Sequence, residues 1–298
     1  MAVLIVLAAI PLLGQNPNVG GKAAVGGNAV IGGGTTGTIP EDAFVDMEGL
    51  SNGVQPTAGT MGSSTHGSIG TWSVYDPNNH LTGATGSLST LITSVLISST
   101  PYTGTGSLSL ATATASSNEG GSATLTLASS YNSVSIGYWI SWSVPDNDSS
   151  GNFYSLAMVA ATSAADYIDA VLVPTGSAMR IYLEASGQTT GSGSYVSVSR
   201  STSPTSPVTG YTLYWITQQF VMNGTHSLNV YRCTAFSGNN CTAVTQVGST
   251  ITEPDIGGSH QVVSVLLGIT GGEPESAGSA IWEDNTAINL SGTFPVGP

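Results

Sequence analysis

The chain has 298 residues, 40% hydrophobic and 7% charged, and its 4 Lys and Arg residues against 17 Asp and Glu residues give a net charge of −13. This length can bury a sizeable core and suits one large all-β domain or two small ones. Because so few cations cannot neutralise a phosphate backbone or a polyuronate, the composition excludes nucleic acid, anionic membranes and acidic polysaccharides as partners. It favours a neutral ligand or a cation.

The first 15 residues, MAVLIVLAAIPLLGQ, form an apolar run that is too short to cross a bilayer comfortably. The run is typical of the hydrophobic region of a secretory signal with cleavage near Gly14 or Gln15, but the basic residues that normally precede such a region are missing. Two interpretations stay open: a signal peptide that is removed, or a retained apolar segment that docks on a neighbouring subunit.

Residues 16–41 are rich in glycine and contain three loose VGG or IGG units. Segments of this composition act as flexible linkers. Three such short units are too few to bury a face against one another, as the units of a repeat protein do. We therefore expect a linker or arm in front of a folded domain that spans residues 42–298.

Alternating strands dominate the chain from Ala43 onwards. In NSVSIGYWISWS, one side of the strand carries only apolar side chains: Val134, Ile136, Tyr138, Ile140 and Trp142. Two strand-like runs flank Asn223-Gly224, which is a strong hairpin signal. Roughly a dozen strands and no convincing helical period predict an all-β fold, in which two antiparallel sheets pack as a jelly-roll sandwich.

The two cysteines, Cys233 and Cys241, flank the turn-like sequence SGNN. An even number of cysteines is typical of secreted, disulfide-bonded chains, so we expect these two to be bonded. The loop between them is short, and closing it would contribute about 2–3 kcal/mol in the chain-entropy model. We expect the bridge to hold the tip of a hairpin in a protein that is secreted or lies at the cell surface.

Three segments together resemble the concanavalin A-like lectins and glucanases, in particular the laminin-G-like domains of secreted bacterial proteins. EDAFVDMEGLSNG opens the domain, GYTLYWITQQFVMNGTHSLNVYR forms an aromatic hairpin, and GSAIWEDNTAINLSGTFP closes it. The resemblance covers about residues 42–295 and implies a concanavalin A-like jelly roll. It leaves the function open, since this fold serves binding proteins, hydrolases, lyases and structural modules.

The same resemblance implies a structural calcium ion that joins the first strand region to the last, with Asp46, Glu48 and Asp284 as its ligands. Asp46 and Glu48 are two residues apart, so a strand places them on one face. Calcium takes many of its oxygen ligands from backbone and water, so a few carboxylates suffice. The alternative is that these acids are solvated on an outer face.

Aromatic rings beside amides suit a neutral carbohydrate, because the rings pack against the C–H faces of sugars and the amides bind hydroxyls. Trp139 lies on the mostly serine face of its strand, where a core tryptophan is not expected. In the strand at 211–222, Trp215 and Gln219 share one face and Tyr214 lies opposite. We predict these four residues as the ligand-binding residues, with ordinary sandwich packing as the alternative for each.

Catalytic motifs are weak throughout the sequence. Glu273 and Glu275 flank Pro274 in a glycine-rich loop, the four histidines are scattered, and there is no G-x-S-x-G sequence. Asp166 and Asp169 are three apart, so a strand would point them to opposite faces. No pair of acids follows a glycosidase pattern on one strand.

Three functions follow from these observations. The first is a secreted, non-catalytic module that binds a neutral polysaccharide or glycan. The second is a self-assembling structural or adhesive surface protein, whose apolar N-terminal arm adds to the sheet edge or groove of a neighbouring subunit. The third is a glycoside hydrolase with a non-standard pair of carboxylates, which would have to lie about 5–10 Å apart in an open groove.

Overall fold

The computed structural model describes residues 30–32, 42–76, 81–84, 107–111, 121–143, 154–162, 166–175, 178–186, 193–199, 213–237, 240–255, 260–269, 271–272 and 280–296. The apolar segment 1–15 and most of the glycine-rich segment 16–41 lie outside these residues. No helix among the described residues is long and apolar enough to cross a membrane.

The described residues form nineteen strands and one short helix. In chain order the elements are β1 (Val30–Gly32), β2 (Ala43–Val45), α1 (Ala58–Ser63), β3 (Thr65–His66), β4 (Gly70–Tyr75), β5 (Leu81–Ala84), β6 (Ser107–Ala111), β7 (Gly121–Tyr131), β8 (Ser133–Ser143), β9 (Tyr154–Ala161), β10 (Tyr167–Thr175), β11 (Ala178–Ala185), β12 (Tyr195–Ser199), β13 (Tyr214–Val221), β14 (Thr225–Ser237), β15 (Asn240–Gln246), β16 (Ile251–Pro254), β17 (Val262–Ile269), β18 (Gly271–Gly272) and β19 (Ala280–Asn289).

The strands form two antiparallel sheets that pack as a sandwich, which confirms the predicted all-β class. The first sheet has the order β1-β15-β14-β13-β8-β19-β2-β3, and β16, β5 and β6 pair at its sides. The second sheet has the order β12-β11-β10-β9-β17-β7-β4, and β18 pairs with β9. Within the described residues, β12 and β4 are therefore the edge strands of the second sheet.

The predicted apolar row of β8 forms part of the core between the sheets. Its five side chains are buried in the main apolar cluster: Val134, Ile136, Tyr138, Ile140 and Trp142. The row meets inward-facing residues of the second sheet such as Leu125, Ile181 and Val265. The two-residue period of the sequence therefore identifies the face of this strand that packs between the sheets.

The hairpin between β13 and β14 forms at Asn223-Gly224, as the sequence predicts. Asn223 has a φ of 55°, a left-handed conformation that asparagine tolerates better than most residues. In the paired strands, Tyr214 and Ile216 face the core between the sheets, while Trp215 and Thr217 face outward. The predicted division of this strand into two faces is confirmed.

The last strand, β19, changes its pairing at a bulge. Its first half pairs with β6 and its second half with β2, while its register with β8 shifts between Asp284 and Ala287. Asn285, within the bulge, has a φ of 50°. Glu283 faces the core between the sheets, on the same side as Ile140, with which it pairs in β8. Asp284 faces outward, on the same side as its pairing residue Trp139.

A disulfide bonds Cys233 in β14 to Cys241 in β15, as predicted. The two Cα atoms are 5.9 Å apart, a usual spacing for a disulfide. Both cysteines are buried, and they join an apolar cluster on the outer face of the first sheet. The bridge therefore holds the β14–β15 hairpin and contributes to packing as well.

Candidate functional site

The predicted aromatic platform lies on the outer face of the first sheet, but it is covered. Trp139 and Trp215 are fully buried and pack edge to face, with their ring centroids 5.3 Å apart. They belong to a second apolar cluster, which also contains Phe44 and Val296. A core on the outer side of a sheet explains why a tryptophan occurs on the serine-rich face of β8.

The C-terminal segment, residues 291–296, provides the cover. The Trp215 indole Nε1 donates a hydrogen bond to the Val296 carbonyl at 2.9 Å, and the Val296 N–H donates to Thr217 Oγ1 at 3.2 Å. Gln219 donates its amide hydrogen bond to the carbonyl of Gly292. The expectation of an open platform formed by Trp139, Trp215 and Gln219 is thus corrected, because this segment occupies the space that a sugar would need.

Tyr214, the fourth predicted residue, faces the other way and borders a cleft. Its ring stacks on Trp142 with a centroid distance of 5.0 Å and an interplanar angle of 10°. The cleft has a volume of about 570 Å³ and lies beside β12, where the edge of the second sheet meets β14 and β15 of the first. We call it the β12 cleft; residues that line it include Ser197, Val198, Tyr214, Arg232, Gln246 and Val247.

Arg232 gives the β12 cleft a charged donor. It is exposed, and its side chain makes no ion pair or hydrogen bond with another residue that the structure describes. The chain has only 4 Lys and Arg residues, so an unpaired guanidinium at a cleft is notable in this acidic protein. Its N–H groups can donate to the hydroxyls of a ligand.

A stack of tyrosines and arginine lies next to this cleft. The Arg180 guanidinium is 4.2 Å from the Tyr195 ring centroid and 3.5 Å from the Tyr182 hydroxyl oxygen. The two tyrosine rings are 5.4 Å apart, and Tyr195 is 46% exposed. Arg180 pairs directly across the strands with Ser197, which lines the β12 cleft. The stack therefore adjoins the cleft at the β11–β12 edge.

Two carboxylates lie opposite each other on the outer face of the second sheet. Asp169 in β10 pairs with Glu184 in β11, and directly opposed side chains have Cβ atoms about 4.5–5.5 Å apart. Burial, and then the two acids, raise the pKa of the neighbouring Tyr167. Asp169 is only 2% exposed, so the pair does not line an open groove. Glu273 and Glu275 lie outside the described residues.

The three predicted calcium ligands lie in one region at the bulge of β19. Asp284 is buried; desolvation raises its pKa well above the ordinary value, and Glu48 and Asp46 add to the rise against an opposing hydrogen bond from the Asn285 N–H. The Asp46 carboxylate accepts a hydrogen bond from the Glu48 N–H and is also hydrogen-bonded to the His66 ring. No three His, Cys, Asp or Glu side chains in the described part of the chain are grouped to hold a metal. Calcium binding stays a prediction.

No strong sequence signal points to three residues of this surface. Arg180, Tyr195 and Arg232 occur singly in ordinary strands, and only the pairing of β11, β12, β14 and β15 brings them to one edge. The scarcity of basic residues was the one available hint, because it makes each arginine unusual in this chain.

Comparison with known proteins gives similarity at the level of fold. No protein-family model matches the sequence, and none of the curated proteins matches it. A solved structure from work on the dependence of botulinum neurotoxin type C cell entry on two ganglioside molecules is 14% identical, with a TM-score of 0.38, over 62% of this chain. The match spans 39% of the length of that neurotoxin chain.

Two smaller proteins match over most of their own length. The cellulose-induced protein Cip1 is 11% identical with a TM-score of 0.40, and the match covers 74% of this chain and 91% of that one. The alginate lyase vAL-1 from Chlorella virus is 9% identical with a TM-score of 0.38, over 64% and 87% of the two chains. These likenesses are too distant to transfer a function.

Proposed function

We propose that this protein is a secreted, non-catalytic β-sandwich that binds a neutral carbohydrate at the β12 cleft and the adjoining Tyr195–Arg180 stack. The observation that carries this proposal is the cleft itself, whose volume of about 570 Å³ falls within the usual range of ligand sites. The disulfide between Cys233 and Cys241 supports secretion.

The chemistry of the surface suits a sugar. The exposed ring of Tyr195 offers an apolar face for C–H groups, and the half-buried Gln246 offers an amide. Arg232 supplies unpaired N–H donors at the cleft, as described above. The net charge of −13 disfavours a polyanionic ligand, and Arg232 at the cleft disfavours a cation, so a neutral ligand fits best.

Calorimetric titration with neutral hexasaccharides, namely cello-, laminari-, manno- and xylohexaose, tests this function. We expect Tyr195→Ala and Arg232→Gln each to weaken binding roughly tenfold, because each removes a contact at the rim of the cleft. Tyr75→Ala is the matched control, since Tyr75 is 69% exposed on β4 at the opposite edge of the same sheet. The absence of any binding at millimolar saccharide contradicts the proposal.

A second candidate function, self-assembly through the N-terminal arm, has one observation in its favour. β1, which belongs to the glycine-rich segment, pairs antiparallel with β15 in the register Val30 to Thr245 and Gly32 to Ala243. The arm can therefore add a strand to a sheet edge, and the same pairing between copies would join subunits. Light scattering after gel filtration should show oligomers that disappear when residues 1–41 are removed; a monomeric full chain contradicts assembly.

A further inference from the structure

A second cleft lies on the opposite side of the sandwich from the β12 cleft. It has a volume of about 390 Å³ and lies between β4, at the far edge of the second sheet, and the α1–β3 segment beside the first sheet. We call it the β4 cleft; residues that line it include Gly62, Thr65, Ser68, Gly70, Trp72 and Leu125. We propose that the β4 cleft is a separate binding site for a neutral sugar residue, which packs against the indole of Trp72.

The Trp72 ring is held in a fixed position at this cleft. Its Nε1 donates to Thr65 Oγ1 at 2.8 Å, and the Thr65 hydroxyl donates to the Met61 carbonyl at 2.7 Å. Trp72 is half-buried, with part of its surface packed against the core. A ring that is already ordered loses little conformational entropy when a ligand stacks on it, so this wall of the cleft is preorganised.

Among the residues that the structure describes, those lining the β4 cleft carry no ionisable side chain. This distinguishes it from the β12 cleft, which contains Arg232. A charged ligand would find no counter-ion here and would lose hydration on entering, whereas a neutral one avoids that cost. The combination of an indole face with hydroxyl and peptide groups matches a sugar, which has apolar C–H faces and polar hydroxyls.

Hydrogen-bond partners for sugar hydroxyls are present at the cleft. Ser68 is exposed, and its hydroxyl makes no hydrogen bond with another described residue. β4 pairs only with β7 among the described strands, so its other edge presents backbone N–H and C=O groups. The volume of about 390 Å³ lies within the usual range for small-ligand sites.

Gly62 allows the cleft to be blocked without disturbing the fold. A Cβ at this position meets no atom within 4 Å, so a leucine side chain can project from α1 into the cleft. Gly59 lies in the same helix, is exposed and does not line the cleft, and a Cβ there makes only an ordinary contact of 3.7 Å with Thr57 Oγ1. Gly59→Leu is therefore the matched control for Gly62→Leu.

The experiment titrates both variants with the same four neutral hexasaccharides and follows tryptophan fluorescence and heat. We expect at least one saccharide to change the fluorescence of the wild type and of Gly59→Leu, and the same fluorescence change in Gly62→Leu to need roughly tenfold more saccharide or to be absent. Trp72→Phe should remove the fluorescence change. Unchanged melting temperatures of the two leucine variants verify that the fold is retained.

Two results would overturn the inference: a fluorescence titration of Gly62→Leu that matches that of Gly59→Leu, or no fluorescence change with any saccharide. The outcome is separable from that of the β12 cleft. Arg232→Gln should leave the fluorescence titration unchanged, and Gly62→Leu should weaken it. A fluorescence titration that is weakened by Arg232→Gln and not by Gly62→Leu would refute this site and leave the β12 cleft supported.

Discussion

The carboxylate of Glu283 links the two sheets to each other: its Oε2 in β19 accepts a hydrogen bond of 2.8 Å from the backbone N–H of Gly268 in β17. Its Oε1 is buried and has no hydrogen-bond partner among the described residues. Desolvation raises the pKa of Glu283 to about 7, and the bond from Gly268 only partly opposes this rise. Glu283 therefore titrates within the core near neutral pH.

Glu283 should make the protein less stable as the pH rises. The pKa of Glu283 is about 7 in the folded protein, above the ordinary value of 4.5 that applies to the unfolded chain. The contribution of Glu283 to the free energy of unfolding is therefore complete below pH 4.5 and is lost as the pH rises through 7. Glu283→Gln cannot ionise, so at pH 8 it should exceed the wild type by on the order of 3 kcal/mol, and at pH 4 the two should be similar. Urea unfolding at both pH values measures this.

The control for that experiment is Glu253→Gln, which leaves Glu283 in place and should retain the pH dependence of the wild type. Glu253 is half-buried in β16, which pairs with β14 at the side of the first sheet. Equal slopes of stability against pH in the wild type and Glu283→Gln would contradict a titrating core glutamate.

Asp284 offers a test of calcium binding. Millimolar calcium should raise the melting temperature of the wild type by a few degrees relative to EDTA, because a cation that binds only the folded state stabilises it. Asp284→Asn removes the most buried of the three acids and should abolish the calcium effect. In EDTA the variant should be the more stable protein at neutral pH, since it no longer buries a carboxylate with a raised pKa. Equal calcium shifts in both proteins exclude Asp284 as a ligand.

Gly137 is required by the tryptophan that lies over it. A Cβ on Gly137 would overlap the indole ring of Trp215, so Gly137→Ala must displace that ring or the C-terminal segment bonded to it. We expect a loss of about 1–3 kcal/mol, the usual cost of overpacking. Gly62→Ala, whose Cβ meets open space, should be nearly neutral in the same thermal unfolding assay. Similar stability of the two variants would show that the C-terminal segment packs only loosely over Trp215.

The disulfide should stabilise the β14–β15 hairpin measurably. Replacing Cys233 and Cys241 together by alanine should lower the free energy of unfolding by about 2–3 kcal/mol, because the short loop is no longer closed in the unfolded chain. Reduction of the wild type by dithiothreitol gives an independent comparison, and it should bring the two proteins to similar stability. A double variant as stable as the oxidised wild type would contradict this role.

Local patterns predicted the strands, their faces and the bridge. The apolar row from Val134 to Trp142 is buried, Asn223-Gly224 forms its hairpin, and Cys233 is bonded to Cys241. These features depend on alternation and turn chemistry within a few residues, which a single sequence displays directly.

The candidate sites depend on distant pairings. Trp215 and Val296 are 81 residues apart, and their hydrogen bond makes a buried cluster out of a face that the sequence presents as an aromatic platform. Arg232 and Ser197 line one cleft because β12, the edge strand of the second sheet among the described residues, lies beside β14 of the first sheet. Trp72 lines the other because β4 is an edge strand.

The sequence by itself determined that this chain is a sandwich of alternating strands, because burial of every second side chain leaves a period that can be read along the chain. The tertiary structure alone decided which aromatic residues are open to a ligand. Exposure depends on which segment packs over each face, and no local period records a contact between residues that are far apart in sequence.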